Sequence, residues 1–272
     1  MEIKEIHVGL SGVIPIASYE NLRPSFDITA EVKPDESIEK CFARLKKTLH
    51  QQFDMEANQA RIDLIEKQYK NIRFREKGGK KYPSVTSITD WDKDWKISDD
   101  DLLQYGARGN VVHALVGEYI LTKKWVKPED LPQLKEDLII LATGSLGLKW
   151  QDCSHQKFFE QFGKDFEFAT MEKVVFNDEH LYSGRYDAKG KYKGKPSIID
   201  FKTGSSYHHK QLAAYAVCER NGKSNIEQLV ICPIGPTKNK VGYAKPSITE
   251  NVKDNFKIFL KDRAKFHARF GV

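Results

Sequence analysis

Asp187, Asp200 and Lys202 have the types and spacing to do chemistry on a phosphate. Residues 197–202 read Ser-Ile-Ile-Asp-Phe-Lys, a β-rich run bounded by Gly and Pro, and residues 181–189 carry Leu181, Tyr182 and Tyr186 in a strand-like context. Gly194 supplies the positive φ of a two-residue hairpin turn, and a turn centred on Lys193 and Gly194 sets Asp187 opposite Asp200. Directly opposed residues lie about 4.5–5.5 Å apart at Cβ, where two like charges are destabilising unless something neutralises them. A divalent cation does so. Lys202 lies two residues past Asp200 and projects on the same face, while Ile199 and Phe201 point the other way, into a core.

This arrangement suits hydrolysis of a phosphodiester. Two hard oxygen ligands hold Mg²⁺ or Mn²⁺, and the ion polarises a phosphoryl oxygen and acidifies a bound water. An adjacent ammonium orients that water or stabilises the charge developing on the phosphate. The competing reading is a solvated Asp/Lys pair on a hairpin, worth little, so the three residues need context. Residues 207–220 supply some of it, being Ala-rich and helical in pattern. Gln211 and Tyr215, four apart, share one helix face, and a helix packed behind the hairpin aims both at the carboxylates. Otherwise Tyr215 is core and Gln211 surface.

With G-x-x-D at 184–187, I-I-D-F-K-T-G at 198–204 and Q-x-x-x-Y at 211–215, the chain resembles the PD-(D/E)XK nuclease superfamily in its RecB-like exonuclease branch. Residues 106–113, G-A-R-G-N-V-V-H, resemble the G-x-x-x-H helix of that branch, and residues 82–88, Y-P-S-V-T-S-I, its entry segment. The resemblance covers residues 80–233. It implies an α/β fold, a restriction-endonuclease-like central mixed sheet flanked by helices. It implies that His113, Asp187 and Asp200 bind metal, that Lys202 is the catalytic lysine, and that Gln211 and Tyr215 line the site. Glu172, at the start of a strand over 171–176, matches a position that is often acidic in these enzymes.

The implied cofactor is Mg²⁺ or Mn²⁺, with imidazole better suited to Mn²⁺. No iron–sulfur cluster is expected, because the C-terminal cysteine group of relatives that carry one is missing. The implied function is that of a metal-dependent deoxyribonuclease, an exonuclease on single-stranded DNA ends in replication, recombination or repair. The alternatives are a structure- or site-specific endonuclease of the same superfamily and a non-catalytic nucleic-acid-binding module. A small-molecule hydrolase is a third, with no Ser-His-Asp or Cys-His arrangement to support it.

The elements that must position these residues come from a chain of 272 residues with a net charge of +6. That length can bury a sizeable core, read as an N-terminal α+β appendage over 1–75 and a nuclease domain over 76–272. The charge is compatible with a polyanionic partner but does not identify one. Cys41, Cys153, Cys218 and Cys232 lack C-x-x-C spacing, which argues against zinc and for reduced thiols. A cytoplasmic location is expected, in the host cell if the chain is viral. No secretion signal is read at the start, and no apolar run is long enough to span a bilayer.

Residues 3–10, 13–18 and 25–32 look β-like, and Ile38, Cys41, Phe42, Leu45 and Leu49 begin an amphipathic helix that runs to about Tyr69, with a break near Asp54. The basic runs at 73–82 and at Lys123, Lys124, Trp125 and Lys127 either touch a nucleic acid backbone or are solvated. Residues 90–101 read as an acidic loop packed by Trp91 and Trp95. A helix over 105–123 has the stripe Val112, Leu115, Val116, Tyr119 and Ile120, with His113 at its edge. Helices at 131–141 and 155–162 are separated by Gly144 and Gly147. A buried strand follows at 226–234, with 241–245 as its partner. A capping box at 247–250 opens a final helix that buries Phe256, Phe259, Leu260 and Phe266.

Overall fold

In a computed structural model of the chain, the described residues are 5–17, 20–93, 98–144, 149–204, 208–221, 225–235 and 241–272. They divide into two compact units, Met1–Pro83 with Ala264–Val272, and Ser84–Arg263.

In the first unit, β1 (Glu5–Ser11), β2 (Ile14–Ala17), β3 (Glu20–Leu22) and β4 (Ser25–Glu31) form two antiparallel ribbons, β1 with β4 and β2 with β3. Helix α1 (Ile38–Gln68) runs without the break expected near Asp54. No Gly or Pro interrupts it, and a single Asp costs well under ~1 kcal/mol of helix propensity. Its Cys41, Leu45, Leu49, Ala57, Ile62 and Ile65 are buried, whereas Ile38 and Phe42 are exposed. The basic run becomes a hairpin, β5 (Phe74–Lys77) and β6 (Lys80–Pro83), turning on Gly78 and Gly79 at φ 58° and 74°. Its Lys81 Nζ pairs with Glu66 at 2.8 Å and Asp63 at 3.3 Å on α1.

The second unit opens with α2 (Val85–Asp90), capped by Ser84 Oγ accepting from the Ser87 N–H. Helix α3 (Asp99–Thr122) starts six residues before the expected 105. Ser98 caps it, and Asp99, Asp100 and Asp101 oppose the positive end of its dipole, so the last three residues of the expected loop are a helical first turn, while residues 91–93 and 98 are neither helix nor strand. Trp95, read as packing that loop, lies outside the described residues, as does Gly147. Helix α4 (Glu136–Thr143) begins five residues after the expected 131, behind a 3₁₀ turn at Pro128–Asp130, and α5 (His155–Phe162) has the expected bounds.

There follow β7 (Phe166–Met171), β8 (Val174–Asn177), β9 (Tyr182–Arg185), β10 (Ala188–Tyr192), β11 (Lys195–Lys202), α6 (His209–Asn221), β12 (Gln228–Pro233), β13 (Ser247–Thr249) and α7 (Val252–Phe270). Tyr207, expected to start α6, is outside the described residues. The central sheet is mixed, in the order β13-β12-β11-β10-β7, with β11 and β12 parallel and the other pairs antiparallel. Ile199 and Phe201 of β11 pack with Val112 and Val116 of α3, Phe158 and Phe159 of α5, and Val230 and Cys232 of β12. Helix α6 packs on β11 and β12.

Two expectations at the end of the chain are corrected. The strand beside β12 is Ser247–Thr249, with Ile248 opposite Val230, and residues 241–245 form no strand. The cap of α7 is therefore Asn251, whose Oδ1 accepts from the Asp254 N–H at 3.2 Å. Ile248 and Thr249 are β-branched and suit a ladder better than a cap. Of the four α7 residues expected in the core, Phe259 and Phe266 are fully buried and Phe256 and Leu260 are half-buried. All four cysteines are free and buried. No helix among the described residues is long and apolar enough to cross a membrane.

Candidate active site

The hairpin has the register its turn chemistry predicts. Tyr192 opposes Lys195 and Ala188 opposes Ile199, around Lys193 at φ 50° and Gly194 at φ 78°. Its first strand is not continuous, however. β9 ends at Arg185 and β10 begins at Ala188, and at Asp187 between them the side chain stands in for the backbone. Asp187 Oδ2 accepts from the Phe201 N–H at 2.8 Å, and its carbonyl accepts from the Glu172 N–H at 2.8 Å.

Asp200 is 6% exposed. Its Oδ2 is buried and ion-paired with Lys202 Nζ at 2.8 Å. Burial alone would lower the Lys202 pKa, but Asp200 and Asp187 outweigh it and hold the ammonium above the ordinary lysine range. Burial pushes the Asp187 carboxyl up to about 6. Asp200 adds to that rise, while His113, Lys202 and the Phe201 N–H oppose it.

His113 comes from α3. Its Nε2 lies 2.7 Å from the Phe201 carbonyl and its Nδ1 lies 3.5 Å from Asp187 Oδ1. A carbonyl only accepts, so Nε2 carries the proton, a tautomer that follows from the partner. In the neutral ring Nδ1 then presents a lone pair to a carboxylate oxygen. Two acceptors face each other across a gap that a proton or a cation must fill. The backbone N–H and C=O of one residue, Phe201, thus orient both Asp187 and His113.

Tyr215 of α6 lies in the field of Asp200, Lys202 and Asp187. Burial first, then Asp200, raises its pKa so that it remains a phenol, and its hydroxyl bonds to Thr86. Its ring sits on Gly184, where an added Cβ would lie 2.2 Å from Cε1. The glycine of G-x-x-D and the tyrosine of Q-x-x-x-Y are therefore two halves of one contact. Gln211 turns to α2, donating from Nε2 to Thr89 Oγ1 at 2.7 Å. Glu172 is not at the start of a strand. It sits at φ 48° between β7 and β8, with its carboxylate 3.4 Å from Arg185 Nη1.

Sequence reasoning missed three parts of this surround, namely the Phe201 backbone, Thr86 with Thr89, and Glu219 of α6, which accepts from Tyr186 and Lys189 on either side of Asp187. Glu219 was findable, since it extends the four-residue spacing of Gln211 and Tyr215 by one step.

Among the described residues no three His, Cys, Asp or Glu side chains converge into a ready metal cage. Mg²⁺ does not require one, because it is commonly held by one or two carboxylates together with waters and substrate phosphates. Neighbouring ligands of an octahedral ion with bonds of about 2.1 Å lie ~3 Å apart, near the 3.5 Å between His113 Nδ1 and Asp187 Oδ1. That pair, with the buried Asp200 carboxylate beside Lys202, fits a divalent cation. No protein-family model matches the chain, and no curated protein matches it in sequence.

Proposed function

We propose that this chain is a metal-dependent deoxyribonuclease with the restriction-endonuclease-like form of the mixed sheet, acting as an exonuclease on single-stranded DNA ends. The observation that carries the reading is the gap between His113 Nδ1 and Asp187 Oδ1, two acceptors 3.5 Å apart, beside Asp200 and Lys202. The preference for single-stranded ends rests on the motif order, which resembles the RecB-like exonuclease branch.

His113, Asp187 and Asp200 would hold Mg²⁺ or Mn²⁺, which supplies Lewis-acid polarisation of a phosphoryl oxygen. Asp187 is fixed for this by the Phe201 N–H, and His113 by the Phe201 carbonyl. Lys202 stays an ammonium and places a positive charge where charge develops on the phosphate in the transition state. Tyr215 remains a neutral phenol beside the carboxylates, its hydroxyl bonded to Thr86.

The test is digestion of end-labelled linear and of circular single-stranded DNA with Mn²⁺, Mg²⁺ or EDTA, comparing the wild type with Asp200→Ala and Lys202→Ala. The expected result is metal-dependent loss of linear DNA with circles spared, and a fall of about 10²-fold or more in each variant. Cut circles would replace the exonuclease with an endonuclease at the same residues. DNA that is bound but never cut would leave a binding module.

A further inference from the structure

Asp187 stands where the β8–β9 ribbon leaves the central sheet. β7 passes through Glu172 and Lys173 into β8, and β9 passes through Tyr186 and Asp187 into β10. Sheet pairing is interrupted at this junction. Two backbone bonds remain there, Tyr186 N–H to the Lys173 carbonyl at 3.3 Å and Glu172 N–H to the Asp187 carbonyl at 2.8 Å.

Glu219 reaches this junction from α6. Its carboxylate is 5% exposed. Oε1 accepts from Lys173 Nζ at 2.8 Å and from the Tyr186 hydroxyl at 3.1 Å, and Oε2 accepts from Lys189 Nζ at 2.7 Å. Burial alone would raise the Glu219 pKa, but the hydrogen bonds from Lys173 and Lys189 outweigh it and keep the group ionised. Lys173 lies on the connection from β7 to β8, Tyr186 on that from β9 to β10, and Lys189 two residues beyond Asp187.

We infer that Glu219 is a positioning residue for Asp187: by gathering Lys173, Tyr186 and Lys189 it pins the junction and holds the Asp187 carboxylate toward His113. The inference rests on the proposed metal site and names a residue that site does not itself contain. Without Glu219 two ammonium groups and a buried phenol hydroxyl lose their common acceptor, and the backbone on both sides of Asp187 is free to shift. Supports of this kind are worth about 10–100-fold in metal affinity.

The experiment is calorimetric titration of Mn²⁺ into the full chain without DNA, for the wild type, Glu219→Ala, Glu219→Gln and Gln228→Ala, with urea unfolding in parallel. Gln228 is a buried polar residue bonded to the Tyr192 carbonyl and Ser197 Oγ, toward the other end of the hairpin, and controls for loss of stability alone. Glu219→Ala is expected to weaken Mn²⁺ binding by about 10–100-fold, Glu219→Gln by less, and Gln228→Ala not at all. If Glu219→Ala does not fold, Tyr186→Phe removes one strut and is expected to give a several-fold loss. Wild-type affinity in a folded Glu219 variant, or an equal loss in Gln228→Ala, overturns the inference while leaving the metal site standing. Absence of Mn²⁺ binding by the wild type removes the metal site itself and the inference with it.

Discussion

Replacing Gly184 with Ala tests whether the two motif residues Gly184 and Tyr215 act as one contact. The new Cβ would sit 2.2 Å from Tyr215 Cε1 and 2.7 Å from Cδ1. Carbon atoms in contact lie about 3.5–4.0 Å apart, so the ring or the strand must retreat by about 1.3 Å. Neither is free to do so. The ring is 5% exposed with its hydroxyl bonded to Thr86, and Gly184 is paired with Val175 in the β8–β9 ribbon. Overpacking of this kind costs about 1–3 kcal/mol, against a gain of roughly 0.5–1 kcal/mol for removing a glycine from a strand. Gly184→Ala should therefore destabilise by about 1–2 kcal/mol in the wild-type background. In a Tyr215→Ala background, itself costing about 3–5 kcal/mol, the methyl enters vacated space and should be neutral or stabilising. Urea unfolding of the four proteins gives the coupling, expected to be about 2 kcal/mol, and Tyr215→Val serves if Tyr215→Ala is too unstable. An equal cost for Gly184→Ala in both backgrounds would falsify the contact.

Two further outcomes are expected. His155 is buried at the start of α5, edge-on to Trp125 at 5.1 Å, with no hydrogen-bond partner for either nitrogen among the described residues, and burial lowers its pKa from 6.5 to about 4. Between those values the unfolded chain binds the proton and the folded chain does not. Stability is therefore whole above about pH 6.5, falls as pH drops toward 4, by at most about 3 kcal/mol, and levels off below. His155→Phe should flatten this part of the urea-midpoint profile, and an unchanged slope would refute the assignment. Gly190 lies at the bulge between β10 and β7, where an added Cβ would meet the Glu167 carbonyl oxygen at 2.0 Å. Backbone cannot swing aside, so Gly190→Ala should cost about 3 kcal/mol, and an unaltered thermal midpoint would count against the bulge.

What could be read from the residues was local. The Lys193–Gly194 turn set the register because Gly194 supplies the positive φ of a two-residue turn, and alternation along 197–202 then placed Ile199 and Phe201 in the core. The helix stripe of Val112, Leu115 and Val116 was legible for the same reason, and all three are buried. What could not be read depended on partners distant in sequence. The split at Asp187 exists because its side chain takes the N–H of Phe201, fourteen residues on. The edge strand Ser247–Thr249 exists because β12 offers it a ladder, a partner the capping-box pattern alone does not reveal. Glu172 matched by position along the chain, but a left-handed φ and Arg185 decide where its side chain lies.

Phe201 shows how hydrophobic packing can set the geometry of a polar site. Its ring is 1% exposed, 5.9 Å from the Phe159 ring and 6.2 Å from that of Phe168. Its N–H and C=O point the other way in effect, to Asp187 at 2.8 Å and His113 at 2.7 Å. A site of this kind needs its ligands held to within about 0.5 Å by groups that are themselves locked, and a close-packed aromatic cluster supplies that stiffness where exposed side chains would not. The acidic residues could not hold themselves in place, since Asp187 and Asp200 repel each other. The free energy of burying Phe201 opposes that repulsion, so the core that stabilises β11 also keeps the two carboxylates and the imidazole of the proposed site in register.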